Sequence, residues 1–343
     1  MSKNENKQID TKQFNIEKDL EELIKKLDNP KTEEIVKEFY SNVARFNNYS
    51  FNNIWLLNSQ AQLRAMDLSY VSSFKQWQNM EVKVNKGRQA LKVFAPKQNY
   101  KVQRDENNKA IKDSKGRYKY ILDNNNQKIK TDISFILVPV FDVSQTNAKE
   151  LEKIKPLSYS NPYSTISKEM LQELYEEVKK KFNVSIEEKK LKESLGGYYQ
   201  ISNKHIVINS NSKKSLNSKV GTLFHELGHH LMHGQDNYKK IHLDTSQKEG
   251  ERESVAYIVS KHIGITQNSE LYLKSWDRDA NNMKEHLKKI VDTSKEIMKE
   301  IDFETIFENE LKRDNLTNEY LDSLIEKKKE PILNKEYNNL YLN

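Results

Sequence analysis

The sequence predicts an α+β protein in which N-terminal helices and a small antiparallel sheet precede a mostly helical domain with an edge strand or hairpin. Three patterns support this prediction. Apolar residues recur at helical spacing near both ends of the chain, and alternating apolar and polar residues between positions 82 and 143 indicate strands. A further helical stripe, from Val220 to Leu231, contains the pentapeptide His-Glu-x-x-His. Hydrophobic residues make up 36% of the chain, which is enough to form a buried core.

The first elements are helical. An amphipathic helix is expected from about Ile16 to Leu27, because its apolar side chains share one face, and Pro30 with the two residues before it ends this helix. A second helix is expected from Thr32 to about Arg45. Residues 46–55 are rich in asparagine, which disfavours a helix interior. We therefore expect the next helix to begin only at Leu56.

Strands are expected in the segment that follows. Val82 to Arg88 has the pattern of a strand that enters a tight turn, where Gly87 supplies the positive φ. The remaining elements of this region are a strand at Ala90–Lys97, polar loop tips at 105–115 and 123–128, and a closing strand at Ile133–Val143.

The pentapeptide has the spacing of a metal site. His225 and His229 lie four residues apart and project from one helical face, so that both imidazoles can bind one ion. Glu226 lies beside them and can take a proton from water that the metal activates. The pattern predicts a catalytic Glu226 and a site for Zn²⁺ or another divalent metal. The alternative is a helix whose histidines only pack or hold a structural metal.

The third ligand must come from outside this helix. Glu249 is the best candidate, because it begins a carboxylate-rich helix that can pack against the first and bring an oxygen to the open tetrahedral position. Glu251 is a rival, since three alternate residues of a helix cannot all face one metal. The nearby histidines are expected to be bystanders: His230, His233 and His242.

The spacing of these residues resembles that of the gluzincins. In this chain 19 residues separate the second histidine from Glu249, and another acid, Glu253, follows one helical turn later. The resemblance implies that Glu249 is the third ligand and that Glu253 hydrogen-bonds the far nitrogen of a ligand histidine, which fixes its tautomer. Metzincins instead need a glycine and a third histidine, and this chain has Met232 and Gln235 in those positions.

The residues around the motif helix support the same interpretation. Tyr199 to Ser210 has the pattern of a hairpin or edge strand, along which an extended peptide could bind by strand addition. Ser215 or Asn217 can cap the start of the motif helix. The group that stabilises a transition-state oxyanion stays open, with Tyr198, Tyr199, Tyr257 and His262 as nominees.

Charge is distributed unevenly. Residues 1–150 carry 26 Lys and Arg against 19 Asp and Glu, whereas residues 151–343 carry 31 of each. Within residues 45–130 the counts are 17 and 6, and aromatic residues are interleaved with the cations. Cations neutralise phosphates, and aromatic rings stack on unpaired bases, which suits single-stranded DNA. The equal alternative is an aromatic core with lysines that face water. The candidate DNA-binding residues are Tyr49, Trp55, Trp77, Lys83, Lys86, Arg88 and Lys92.

Two absences bear on location and chemistry. No run approaches 18 apolar residues, and the first residues lack the apolar core of a signal peptide, so we expect a cytoplasmic protein without a membrane partner. The chain has no cysteine, which excludes disulfides and thiolate metal sites.

Four short segments together resemble the ArdC antirestriction proteins of conjugative plasmids and integrative elements. They are Asn47–Trp55, Phe74–Trp77, Val82–Val93 and Val140–Thr146. The resemblance implies an N-terminal single-stranded DNA-binding domain, a C-terminal metallopeptidase-like domain and a role in shielding incoming plasmid DNA from host restriction. Arg252 departs from it, because relatives commonly have a small residue there.

The predicted organisation is a basic DNA-binding domain at 1–150, a linker at 151–164, a zincin-like (gluzincin-like) domain at 165–315 and a helical or flexible tail at 316–343. The C-terminal half is also similar to the ImmA/IrrE metallopeptidases. That similarity implies an alternative function, a cytoplasmic zinc metallopeptidase that cleaves a regulatory or repressor protein. The target of either activity would be a host restriction or regulatory protein. A third hypothesis is a binding protein whose zinc is only structural.

Overall fold

The structure is a computed structural model, and it describes residues 15–26, 29–148, 165–211, 215–233, 245–265, 267 and 278–313. It confirms the α+β class. The helices are α1 (Ile16–Ile24), α2 (Pro30–Arg45), α3 (Phe51–Arg64), α4 (Phe74–Asn79), α5 (Lys168–Phe182), α6 (Leu216–His233), α7 (Thr245–His262), α8 (Ala280–Glu300) and α9 (Phe303–Arg313). The strands are β1 (Val71–Ser73), β2 (Leu91–Tyr100), β3 (Lys130–Asp142), β4 (Ser185–Lys189), β5 (Gly197–Gln200) and β6 (His205–Asn209). The predicted linker, the predicted tail and His242 lie outside the described residues.

The first sheet is antiparallel, with strand order β1-β3-β2. The long strand β3 pairs with β1 near its end and with β2 along its length, with Leu91 opposite Val140. One face of the sheet is buried, because Leu91, Val93 and Val140 are each at most 2% exposed. The strands predicted at Ala90–Lys97 and Ile133–Val143 are therefore confirmed, whereas the three-residue strand β1 was too short to predict.

The turn before β2 is also present. Gly87 has a φ of +83°, as predicted. The predicted strand Val82–Arg88 is wrong, because it is reduced to a single bridge between Val84 and Thr146. Beside the bridge, the Asn147 side chain accepts the Lys83 backbone N–H at 2.8 Å, and the Asn147 N–H donates to the Lys83 carbonyl at 3.0 Å.

Helix α3 begins five residues earlier than predicted, and its polar residues explain why. Ser50 caps it by accepting the Asn53 backbone N–H. The Asn53 side chain donates to the Phe94 carbonyl at 2.9 Å and accepts the Phe94 N–H at 2.7 Å. Gln60 makes the same pair of bonds with Lys92, both at 2.9 Å. Two amide side chains thus satisfy the outer edge of β2, so asparagine in this helix is stabilised by tertiary contacts that a sequence pattern does not show.

The second sheet covers the motif helix and has the order β4-β6-β5. Strands β5 and β6 are antiparallel and form the predicted hairpin, while β4 adds to β6 in parallel. At Gly197 a Cβ would lie 2.4 Å from the Val207 carbonyl oxygen and 2.8 Å from the Thr222 Cγ2. Only glycine therefore allows β5 to lie directly against α6, one turn before the pentapeptide.

The two halves of the sequence share one hydrophobic core. Helices α1, α2 and α3 pack on α7 and α8, and the ring of Tyr40 lies 6.4 Å from that of Tyr257. Hydrogen bonds cross the same boundary: His262 Nδ1 donates to the Ala44 carbonyl at 2.9 Å, and Lys295 donates to the Tyr49 carbonyl at 2.9 Å. Among the described residues, no helix combines the length and hydrophobicity needed to cross a membrane.

Candidate metal centre

The pentapeptide lies on α6, and a local contact explains where that helix begins. Ser215 accepts the Ser218 backbone N–H at 3.1 Å and so acts as the N-cap. Asn217, the other nominee, instead accepts the Ile166 N–H at 2.9 Å. The apolar stripe of the helix is completely buried: Val220, Leu223, Phe224 and Leu227 are each 0% exposed. Burial of that stripe turns the opposite face of α6, with both histidines, towards α7 and solvent.

Three side chains converge at this face. A ligand atom from each of His225, His229 and Glu249 lies within 4.8 Å of the others, as a shared metal ion requires. His225 Nε2 and Glu249 Oε2 are 3.2 Å apart. The three side chains keep solvent access, since they are 20%, 27% and 40% exposed.

Glu253 contacts the ring nitrogen of His225 that does not face Glu249. Its Oε2 accepts from His225 Nδ1 at 3.0 Å. Because Nδ1 donates there, Nε2 faces Glu249 and the position of the ion. This contact is the one that the gluzincin spacing implied.

Glu251 faces the other side of α7. Its carboxylate is 4% exposed, accepts a hydrogen bond from His286 Nδ1 at 2.6 Å and lies 3.1 Å from His233 Nε2. Burial raises the pKa of Glu251, but the contacts with the two histidines outweigh it and lower the pKa to about 2. The geometry therefore separates the two rival carboxylates, with Glu249 beside the histidine pair and Glu251 in a buried ion-pair cluster.

The electrostatics of the donor set suit a cation. Burial, together with the nearby Arg252, lowers the pKa of His229 to about 3, so this imidazole is neutral and able to donate a lone pair. Burial would lower the pKa of His225, but its bonds to Glu249 and Glu253 raise it to about 9. The bond from His225 also lowers the pKa of Glu249 to about 2, which keeps that carboxylate ionised.

Glu226, the candidate base, is almost fully buried beside the histidine pair. Its side chain is 7% exposed, and its Oε2 is buried 3.7 Å from His229 Nε2, without a hydrogen-bond partner among the described residues. Burial raises the pKa of Glu226 to about 7, where a carboxyl can both accept and release a proton. The backbone N–H of Tyr199 on β5 donates to this carboxylate. The orphaned oxygen and the two-histidine, one-carboxylate donor set both fit a divalent metal.

Two residues near the site were not predicted to have these contacts. Arg252 is 3% exposed and pairs with Oε1 of Glu249, whereas His225 contacts Oε2 of the same carboxylate. The Tyr199 hydroxyl donates to His230 Nδ1 at 2.8 Å, and His230 Nε2 donates to the Phe182 carbonyl at 3.1 Å. The one signal in the sequence was Arg252, noted as a departure from the ArdC pattern.

The candidate DNA-binding tryptophans are core residues, which corrects that expectation. Trp77 is 0% exposed and its Nε1 donates to the Phe141 carbonyl at 3.0 Å. Trp55 is 7% exposed and donates to Asp19 at 3.1 Å. Neither ring can stack on a base in this fold, because packing takes up both faces of a buried ring.

The other candidates lie at or near the surface. Lys83, Lys86 and Arg88 are exposed around the turn before β2, and Lys92 is half-buried. Tyr49 is half-buried, with its hydroxyl 3.3 Å from the Val71 carbonyl. The structure therefore brings three of the cations together on one loop, buries both tryptophans and leaves Tyr49 half-buried.

The helix pair α6–α7, covered by a mixed three-stranded sheet, defines a metallopeptidase-like domain, and a core shared with α1–α3 joins it to an antiparallel-sheet domain. Comparison with known families gives the same two parts. Residues 8–135 match the N-terminal domain of the anti-restriction factor ArdC, and residues 179–266 match the IrrE N-terminal-like domain. The chain therefore combines an ArdC-type N-terminal domain with an IrrE-like metallopeptidase domain.

The chain is similar to one curated protein and to two forms of one solved structure. The uncharacterized protein pXO2-81 of Bacillus anthracis is 28% identical over 266 residues, which cover 73% of this chain and 44% of that protein. The crystal structure of the antirestriction ArdC protein from the R388 plasmid in its Mn(II)-bound form has a TM-score of 0.50 and 14% identity, covering 84% of this chain and 98% of the other. The metal-free form has a TM-score of 0.46 and 16% identity, covering 74% and 85%. At these identities the likeness concerns the fold.

Proposed function

We propose that this protein is an antirestriction factor of a conjugative mobile element, which binds single-stranded DNA and carries a divalent metal, Zn²⁺, in its metallopeptidase-like half. The observation that carries the proposal is the presence in one chain of an ArdC-type N-terminal domain and an IrrE-like domain with converging ligand atoms. The basic loop at Lys83, Lys86 and Arg88 supplies cations that can neutralise phosphates. The protein would act in the cytoplasm, where incoming DNA meets restriction enzymes.

The domains proposed for these two activities are residues 1–150 for DNA and 165–315 for the metal. The shared core supports a coupling between them, since α2 packs on α7, the helix that carries Glu249 and Glu253. The ion-pair contact between Lys284 on α8 and Glu17 on α1 spans the same interface.

The chemistry of the metal centre follows from the positions of its residues. A divalent metal supplies a Lewis acid that polarises a carbonyl and lowers the pKa of water. His225, His229 and Glu249 would hold it, and Glu253 orients His225 through Nδ1. Glu226 would accept a proton at its buried Oε2, since burial holds its pKa near neutrality.

Fluorescence anisotropy tests the DNA half of the proposal. The full chain is titrated against a labelled single strand and the matching duplex over a salt series. We expect preference for the single strand and an affinity that falls with salt, because bound cations displace counterions. Absence of binding to the single strand would refute the antirestriction proposal in this form.

Metal content and proteolysis test the other half. Glu226→Gln is expected to retain metal, because the proposed ligands stay in place, and to lose any peptidase activity because the base is gone. His225→Ala is the comparison variant and should lose the metal. If Glu226→Gln still cleaves, the assignment of the base is wrong.

The second candidate function is cleavage of a repressor or other regulatory protein by an IrrE-like peptidase. The position of Glu226 beside the ligand histidines favours it, because a structural metal does not require a base. This candidate predicts protein cleavage without any dependence on DNA. The third hypothesis, a purely structural metal, predicts that Glu226→Gln leaves every activity intact while metal loss unfolds α6 and α7.

A further inference from the structure

From the end of β2 to most of β3, residues 97–139, the chain makes a long excursion, which we call the arm. Within the described part of the chain, no residue of the arm is buried; the next buried residue is Val140. A segment of this length without a core would ordinarily be disfavoured by the entropy of ordering it. Its order must come from polar contacts, and its position outside the core leaves its side chains available to a partner.

Two closed rings of backbone hydrogen bonds hold the arm. In the first ring Lys101 N–H donates to Ile129, Ile129 to Ile121, and Ile121 to Lys101, at 2.9, 3.0 and 2.8 Å. A second ring joins three further residues in the same way at 2.8, 2.9 and 2.9 Å: Gln103, Lys119 and Ile111. Each ring joins three chain segments, and both rings use the segments at 101–103 and 119–121, so two triangular layers form whose backbone groups satisfy one another. The side chains are not needed to close it.

The turns at the tips of the arm use its acidic residues. The Oδ1 atoms of Asp105, Asp113 and Asp123 each accept the backbone N–H groups two and four residues later, at 2.8 to 3.0 Å. Each turn also contains one residue at positive φ: Asn108, Gly116 or Asn126. Three of the four acids between positions 97 and 130 are thus engaged in turns, whereas ten Lys and Arg side chains lie in the same stretch. The surface of the arm is consequently cationic.

Aromatic rings accompany these cations. The rings of Tyr100 and Tyr120 meet edge to face at 5.8 Å, and Lys128 Nζ lies 4.2 Å from the centre of Tyr120. Lys112 Nζ lies 4.9 Å from the centre of Tyr118, which is 48% exposed. Towards the base of the arm, Phe135 is 56% exposed. Rings beside ammonium groups, open to solvent, can stack on bases while the cations meet phosphates.

We propose that the arm, with Tyr118 and its neighbouring tyrosines and lysines, is the element that captures single-stranded DNA. The inference rests on the proposed function and deepens it, because it moves the aromatic contacts from the buried tryptophans to this projecting surface. Charge complementarity and exposed rings distinguish a single strand from a duplex, whose bases have no free faces.

The test uses the full chain with substitutions that leave the backbone rings intact. Tyr118→Ala should weaken binding of a labelled single strand by about 5- to 150-fold, the range for loss of one stacked base, while Tyr118→Phe should keep it. Replacing Lys112 and Lys128 with alanine should lower the slope of log affinity against log salt by about 1.4. The matched control replaces two exposed lysines of α5, Lys180 and Lys181, and should leave the slope unchanged.

The outcomes separate the two ideas. If the wild-type chain binds the single strand and the arm variants bind as the α5 control does, the arm inference is refuted while the proposed function stands. If the wild-type chain does not bind a single strand, the proposed function fails. If the arm variants instead lose binding to a duplex or to anionic vesicles, the arm binds that partner and the inference is overturned. Circular dichroism and thermal melting of each variant confirm that the fold is retained.

Discussion

Replacing Glu249 and Glu251 separately with glutamine is expected to have opposite effects. Glu251→Gln should lose stability and keep metal binding, whereas Glu249→Gln should lose metal binding and keep most of its stability. Glu251→Gln removes the charge of a carboxylate that is 4% exposed and paired with two histidines. Breaking a buried ion pair costs about 3–5 kcal/mol of unfolding free energy. Glu249 is 40% exposed, and a glutamine oxygen there still accepts from Arg252, so its replacement should cost only about 1 kcal/mol.

Metal binding should show the reverse pattern. Glu249→Gln should abolish high-affinity Zn²⁺ binding, because it removes the anionic donor beside His225 and His229. Glu251→Gln should retain the metal, since no atom of Glu251 belongs to the donor cluster. A domain of ordinary stability, about 5–15 kcal/mol, remains folded after the loss of 3–5 kcal/mol.

Urea unfolding with and without Zn²⁺ measures both effects at once. Because a ligand that binds only the folded state raises its stability, added Zn²⁺ should shift the midpoint of the wild type and Glu251→Gln but not of Glu249→Gln. Calorimetric titration of the folded variants gives the affinities directly. The assignment would be refuted if Glu251→Gln folded but failed to bind Zn²⁺ while Glu249→Gln bound it normally. Glu251 would then be the ligand in place of Glu249.

Three further predictions concern the orientation of His225, the buried Trp77 and the edge of β2. Glu253→Ala should lower metal affinity about 10- to 100-fold in a calorimetric titration, since His225 loses the partner that orients it; unchanged affinity would contradict that role. Trp77→Ala should lower the unfolding free energy by about 3–5 kcal/mol in a urea titration, yet leave single-strand affinity of the folded protein unaltered. Joint replacement of Asn53 and Gln60 by alanine should expose the β2 edge, because both side chains bond its backbone. The variant should be less stable and should aggregate with increasing concentration in light scattering. A variant that stays monomeric and stable would count against the edge-covering role.

The predicted helix α3 shows where local patterns fail. Propensity alone disfavours asparagine within a helix, so the start of α3 was placed at Leu56 rather than Phe51. The amide groups of Asn53 and Gln60 bond a strand some 30 to 40 positions later in the chain. Tertiary hydrogen bonds of this kind outweigh a propensity of a few tenths of a kcal/mol, and no local window contains them.

The tryptophans give the same lesson for function. A chain segment with cations and aromatics predicts nucleic-acid binding in the same way whether its rings are inside or outside. Trp55 and Trp77 fill the core, while Tyr118 is exposed on the arm. Whether each ring is exposed depends on how α3, α4 and the first sheet pack, and amino-acid composition carries no information about that packing.

By itself the sequence determined the class of the fold, the metal-ligand pair His225 and His229 as a candidate, and the base beside them. It could do so because an i, i+4 spacing on one helix specifies relative geometry without any other part of the chain. Only the tertiary structure places Glu249 beside the histidine pair and Glu251 away from it, since these positions depend on how α7 packs against α6 and α8. It likewise decided that the two halves share one core and that the cationic arm projects from it, because both depend on contacts between residues far apart in the chain.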